Sequence, residues 1–187
     1  MKKVFASITV TLIAFAGCSS TEKKSNPEKD KTLVVLSEKG SKADAEKAIK
    51  EGASPDAKNE RGWSALMIAA YYGNDEVATE LISAKADLNS TNANGVTPLM
   101  IASAHGNKGF VEKLLAKNAN VNSQTGKGVT ALMAAAYMGE KEISAMLVKS
   151  GANVNLKTAN GKTALYYAKL NGKTEIANAL KAAGATE

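Results

Sequence analysis

Few side chains in this 187-residue sequence could do covalent or metal chemistry. There is one histidine, His105, and one cysteine, Cys18. Catalytic triads need a base oriented by a third group, and transition-metal sites need three or four ligands. A single imidazole and a single thiol do not supply either. Gly161-Lys162-Thr163 and Gly172-Lys173-Thr174 each copy the end of a phosphate-binding loop. That motif also needs an earlier glycine, where Leu156 and Tyr167 stand instead. Asp75-Glu76 could work as an acid and base, but at the start of a helix the same pair complements the backbone dipole, and that role suffices. Met67, Met100 and Met133 recur at one step and offer thioethers, yet Met is a common core gap-filler. Asn89-Ser90-Thr91 fits a glycosylation sequon by pattern alone. The residues thus point to no catalytic group, no cofactor and no metal, and predict a protein that is not an enzyme.

What the sequence does carry is a period. Gly62, Gly95, Gly128 and Gly161 fall 33 residues apart, as do Leu66, Leu99, Leu132 and Leu165, and again Gly73, Gly106, Gly139 and Gly172. A fixed step of this length marks an array of units that stack only on their neighbours. The shared pattern is G-x-[ST]-[AP]-L-x-x-A, then Gly, then an apolar pair, then [GNK]-A-[DN]-x-N. It resembles the ankyrin repeat over about residues 32–187. The resemblance implies an all-α solenoid of four full repeats plus a shortened N-terminal capping repeat at 32–58, where Leu33, Gly40 and Ile49 keep the same step.

Each unit reads as two helices. Ser64, Thr97, Thr130 and Thr163 precede apolar runs and suit helix N-caps, and Pro98 suits a first turn. The glycines at 73, 106, 139 and 172 suit the left-handed residue that ends the first helix. In the second helix Val77, Leu81 and Ile82, then Phe110, Leu114 and Leu115, then Ile143, Leu147 and Val148, then Ile176 and Leu180 fall on one face. Lys181 replaces the last apolar member, as a solvent-facing terminal unit allows. Two departures matter. The family often carries His after the first-helix Leu; Met67, Met100, Met133 and Tyr166 stand there, so the turns are expected to rest more on packing. The second helix stops at Gly52, Gly151 and Gly184 in three units but at Lys85 and Asn118 in two, so Lys85 is expected to be strained or to end its helix differently.

The N-terminus reads as an address. Met1-Lys2-Lys3 is followed by the mostly apolar stretch Val4–Ala16, too short for a membrane span of about 20 residues. Phe15-Ala16-Gly17-Cys18 resembles the bacterial lipoprotein signal, with Phe where Leu is common. The resemblance implies a signal peptide at 1–17, lipid on Cys18, and a chain anchored in the bacterial cell envelope. Ser19 after the cysteine implies the outer membrane, with the domain facing the periplasm. A simple secretory signal with a leftover thiol is the alternative. The polar stretch 18–31 reads as a flexible tether with a reach of roughly 20 Å.

The formal charge is +6, and within 32–187 there are 18 basic and 15 acidic side chains, a mild net +3. Those lysines are spread along the chain and form no basic stripe, so nucleic acid is not expected as a partner. Function then has to reside in an exposed surface. In the ankyrin resemblance partners meet the concave face, at the hairpin tips and the exposed end of each first helix. Mapped here, that face gathers Arg61, Trp63, Tyr71, Tyr72, His105, Tyr137 and Met138, side-chain types that include those enriched at binding hot spots. The expected partner is a protein, an envelope enzyme or a toxin, bound by a monomer that stabilises, inhibits or recruits it. An immunity-type protein or a passive spacer are the alternatives.

Overall fold

The computed structural model describes residues 26–186. Their regular structure is ten helices in five pairs: α1 (Pro27–Lys39) with α2 (Lys42–Lys50), α3 (Ala65–Tyr72) with α4 (Asp75–Ser83), α5 (Pro98–Ala104) with α6 (Lys108–Ala116), α7 (Ala131–Met138) with α8 (Lys141–Lys149), and α9 (Ala164–Leu170) with α10 (Thr174–Ala182). Odd-numbered helices stack in an inner row and even-numbered helices in an outer row. The result is an all-α solenoid. The inner row packs more closely, because Ala69, Ala70, Ala102, Ala135, Ala136 and Ala168 are buried and small, and this curves the stack toward the hairpins between pairs. Among the described residues no helix is long and apolar enough to cross a membrane.

The local signals act as the sequence predicts. Ser64, Thr97, Thr130 and Thr163 each accept a hydrogen bond from the backbone N–H three residues on, at 3.2–3.3 Å. The glycine after each inner helix from α3 to α9 is left-handed, with φ of 70, 72, 92 and 65° at Gly73, Gly106, Gly139 and Gly172, whereas Gly40 after α1 is extended, with φ of −73°. Val77 and Leu81, Phe110 and Leu114, Ile143 and Leu147, and Ile176 and Leu180 are buried. Ile82, Leu115 and Val148 are only half-buried, and Lys181 is exposed. Met67, Met100 and Met133 lie in the core.

Two expectations change. The stretch 18–31 is not tether throughout, because α1 begins at Pro27, before the boundary at 32. Asn26 caps that helix by accepting from the N–H groups of Glu28 and Lys29, and Pro27 fits its first turn. Asp30 then accepts from the Ser54 N–H at 2.7 Å and Lys29 pairs with Glu51, so the charged run is a helix face tied to the next unit. Residues 1–25, including Cys18 and the apolar stretch before it, lie outside the described residues, as does Glu187.

The turns also do not rest on packing alone. The carboxamide or carboxylate oxygen of every 33rd residue reaches into the following unit. Asp56 accepts from the Asp87 N–H at 2.7 Å, and Asn89, Asn122 and Asn155 accept from the N–H groups of Asn120, Asn153 and Thr186 at 2.8 Å each. This ladder supplies a polar link between repeats, and it uses Asn89, the sequon residue.

Lys85 has φ of 64° and Asn118 of 61°, so both take the left-handed conformation that glycine takes in the other units. The conformation costs a Cβ-bearing residue about 1–2 kcal/mol, partly offset by the unfolded-state entropy that glycine would bring, about 0.5–1 kcal/mol. Lys85→Gly is therefore expected to stabilise the chain by about 0.5–1 kcal/mol and raise Tm by about 1–4 °C. Asn tolerates the region better, so Asn118→Gly should gain less. Thermal melts of both variants check this; a lower Tm for Lys85→Gly contradicts it.

Candidate protein-binding surface

Four hairpins and the C-terminal ends of the inner helices line the concave side. Each hairpin is closed by a backbone hydrogen bond, from Asn59 N–H to Trp63 O, Asn92 to Val96, Thr125 to Val129 and Thr158 to Lys162, at 2.9–3.2 Å, and by a second from the turn glycine N–H to the carbonyl of the first residue, at 2.7–2.9 Å. The side chain at the first residue of each pair braces the same turn. Asn59 and Asn92 accept from the N–H groups of Trp63 and Val96, and Thr125 and Thr158 from those of Val129 and Lys162, at 3.0–3.1 Å. The tips are thus fixed platforms, which lowers the ordering cost of binding.

The expected site residues fall into two groups. Trp63 sits edge-to-face on Tyr71, with ring centroids 5.8 Å apart, and Tyr71 in turn meets Tyr72 at 5.1 Å and His105 at 4.6 Å. Tyr71 is the hub because α3 places it at its last turn, level with the hairpin before it and with His105 one repeat on. Arg61, Trp63, Tyr71 and Tyr72 line a cleft of about 300 Å³ together with Glu38 of α1 and Asn59. On the other side of Tyr71, Trp63 and His105 border a second, largely apolar groove over Val96, Met100, Val129 and Ala134. Tyr137 and Met138 do not join this cluster. They stand about half exposed on α7, and Tyr137 meets Tyr167 of the last repeat at 6.2 Å.

Two contributors, Tyr166 and Glu38, escape the sequence reading. Tyr166 occupies the column that Met67, Met100 and Met133 fill in the core, yet it is 38% exposed, because no inner helix follows α9 among the described residues. Lys162 lies over its ring at 4.0 Å from the centroid. Glu38 comes from α1, whose extent composition hides. The signal that could have found Tyr166 is the aromatic residue in an otherwise Met column in the last unit.

The electrostatics differ between the two rows. On the outer row, Lys42 pairs with Glu80, Lys113 with Asp75 and Lys141 with Glu175, each bridging successive units. A hydrogen bond from Lys141, reinforced by its charge, holds the Glu175 carboxyl below its ordinary range. Asp75 is thereby a structural partner at the start of α4. Gly161 forms a hairpin turn, Thr163 caps α9 and Gly172 follows α9, so both phosphate-loop fragments are turns. Among the described residues no three His, Cys, Asp or Glu side chains gather as metal ligands.

An open, braced, aromatic-lined surface suits recognition. A family model for ankyrin repeats in three copies matches residues 33–125 and 105–186. Proteins built from this repeat generally serve as non-catalytic protein–protein interaction modules. No curated protein matches the chain. The two stretches cover nearly all of the helical stack, and the chain belongs to the ankyrin-repeat family.

Proposed function

We propose that this protein is a lipid-anchored interaction module of the bacterial cell envelope, held in the outer membrane through Cys18 and facing the periplasm. Its concave surface binds a protein there and stabilises, inhibits or recruits it. The observation that carries the binding part is the row of exposed aromatic rings along the inner helices, Tyr71, Tyr72, Tyr137 and Tyr166, with Trp63 and His105 packed on Tyr71. Such rings are left in water at a cost unless a partner covers them, and Trp, Tyr and Arg dominate binding hot spots. The anchoring part rests on the basic, apolar and Phe-Ala-Gly-Cys sequence of residues 1–18.

One experiment addresses both parts. Tyr72 and Tyr137 are 53% and 49% exposed, so Tyr72→Ala with Tyr137→Ala should leave the helical CD signal intact and shift Tm by only a few degrees. After crosslinking in intact cells of the native host, the double variant should lose at least about tenfold of the protein that the wild type captures. Equal capture refutes the concave site, and no selective capture by the wild type favours a passive spacer. Mass spectrometry of the recovered chain should find acylated Cys18 as its first residue. An intact Met1 with a bare thiol refutes the anchor.

A further inference from the structure

The charges of the inner surface are one-sided. From Thr91 onward, the hairpin and inner-helix segments 91–106, 122–139 and 155–172 contain no Asp or Glu. They contain Lys127, Lys157, Lys162 and Lys169, with His105 at the near end. The acidic residues of the same repeats lie on the outer helices or at their starts: Glu112, Glu140, Glu142 and Glu175. Outer lysines find carboxylates one repeat away, as in Lys113–Asp75 at 3.5 Å and Lys141–Glu175 at 2.5 Å. Among the described residues neither Lys127 nor Lys162 has an ion-pair partner. Lys162 is instead held over the Tyr166 ring. Lys127 borders an open cleft between two hairpin tips, beside Asn94, Gly95, Val96 and Val129. Val96 and Val129 also floor the groove that begins at Trp63, Tyr71 and His105. An aromatic anchor site and a cationic track are therefore continuous.

We infer that the occupant of this surface is an extended protein segment bearing carboxylates. It seats an apolar or aromatic side chain against Trp63, Tyr71 and His105 and lays its acidic residues on Lys127 and Lys162. Packed helices lie about 10 Å apart, so Lys127 is about 20 Å from Trp63 along the stack and Lys162 about 30 Å. At about 3.3 Å per residue of extended chain, carboxylates belong about six and nine residues from the anchor. Opposite charge steers the encounter and sets register, while the aromatic cleft holds the segment. The inference rests on reading the inner surface as a protein-binding site.

The test is selection of 12-residue peptides from an unbiased phage-displayed library on the full chain purified in detergent. The baits are wild type, Lys127→Glu with Lys162→Glu, and Tyr71→Ala with His105→Ala, both exposed members of the anchor cluster. Both lysines are surface residues, so the charge reversal should leave the helical CD signal unchanged. Wild type should enrich peptides rich in Asp and Glu at the stated spacing from an apolar anchor. Charge reversal should weaken the best synthetic peptide by about tenfold or more and select basic sequences instead. Enriched peptides that are neutral or basic, or that bind the charge-reversed chain equally well, overturn the acidic preference; loss of those same peptides in the Tyr71 and His105 variant leaves the concave reading standing. Peptides indifferent to both variants overturn the concave reading as well. No enrichment, together with lysine-dependent binding to phosphatidylglycerol vesicles, also overturns the proposal and assigns the lysines to a lipid surface.

Discussion

Phe110→Ala should lower stability by about 3–5 kcal/mol, the cost of emptying a fully buried aromatic site. Phe110 stands in the column that Val77, Ile143 and Ile176 fill in the other units, and it is the only aromatic there. Its side chain is completely buried between α5 and its outer-row neighbours, in the central repeat of the stack. Truncation removes its own transfer free energy and leaves a cavity that short helices can only partly close. In a stack held by nearest-neighbour contacts, a loss in the middle also uncouples the two ends. Urea denaturation should show a lower midpoint and, if the ends part company, a shallower transition. Hydrogen exchange should speed first in α5 and α6. Phe110→Ile, which installs the residue of the later repeats, should cost less than about 1.5 kcal/mol. Equal losses for the two substitutions would mean that the site senses the ring itself and not its volume.

What could be read in the chain without coordinates follows from the local nature of the fold. Each unit contacts only its neighbours, so caps, stops and apolar faces recur at one step and expose themselves by recurrence. The bounds of α3, the caps at Ser64 and Thr97, and the positive φ of Lys85 are legible for that reason. The start of α1 is not, although Asn26-Pro27 and the acidic Glu28 and Asp30 are the ordinary marks of a helix start. The surrounding run of Lys, Glu and Ser has the composition of a linker, and only the contacts of Asp30 and Lys29 with the next unit decide the matter. The Asn ladder was visible as a repeated letter without its meaning, because the bond it makes crosses from one unit to the next. At the binding surface, the residue types were legible and their grouping was not. Sequence spacing places Tyr71 and Tyr137 in the same column, but it does not say that one joins Trp63 and His105 while the other turns to Tyr167.

The same dependence on neighbours makes one hairpin glycine far less replaceable than another. Gly128 and Gly161 hold equivalent positions, with φ of 77 and 72°, so a Cβ at either pays the left-handed penalty of about 1–2 kcal/mol. They differ in what lies beyond. A Cβ on Gly161 would meet nothing within 4 Å, whereas one on Gly128 would stand 2.9 Å from Lys157 O and from Thr158 Cα. Those are backbone atoms of the next hairpin, which cannot rotate away, so overpacking adds about 1–3 kcal/mol. Set against the unfolded-state entropy of glycine, about 0.5–1 kcal/mol, Gly128→Ala should therefore cost about 1.5–4 kcal/mol and Gly161→Ala about 0.5–1 kcal/mol, read as urea midpoints at constant slope. The clash also bears on the surface. Relief requires the two tips to part, which breaks the bond from Ala159 N–H to Lys127 O, now 2.9 Å. Lys127 and Val129 would then move away from Lys162, and a ligand spanning both hairpins should lose affinity in Gly128→Ala but keep it in Gly161→Ala. Equal stability losses for the two variants would show that the tips are not in contact in solution, and the braced inner surface would have to be replaced by one of independently moving hairpins.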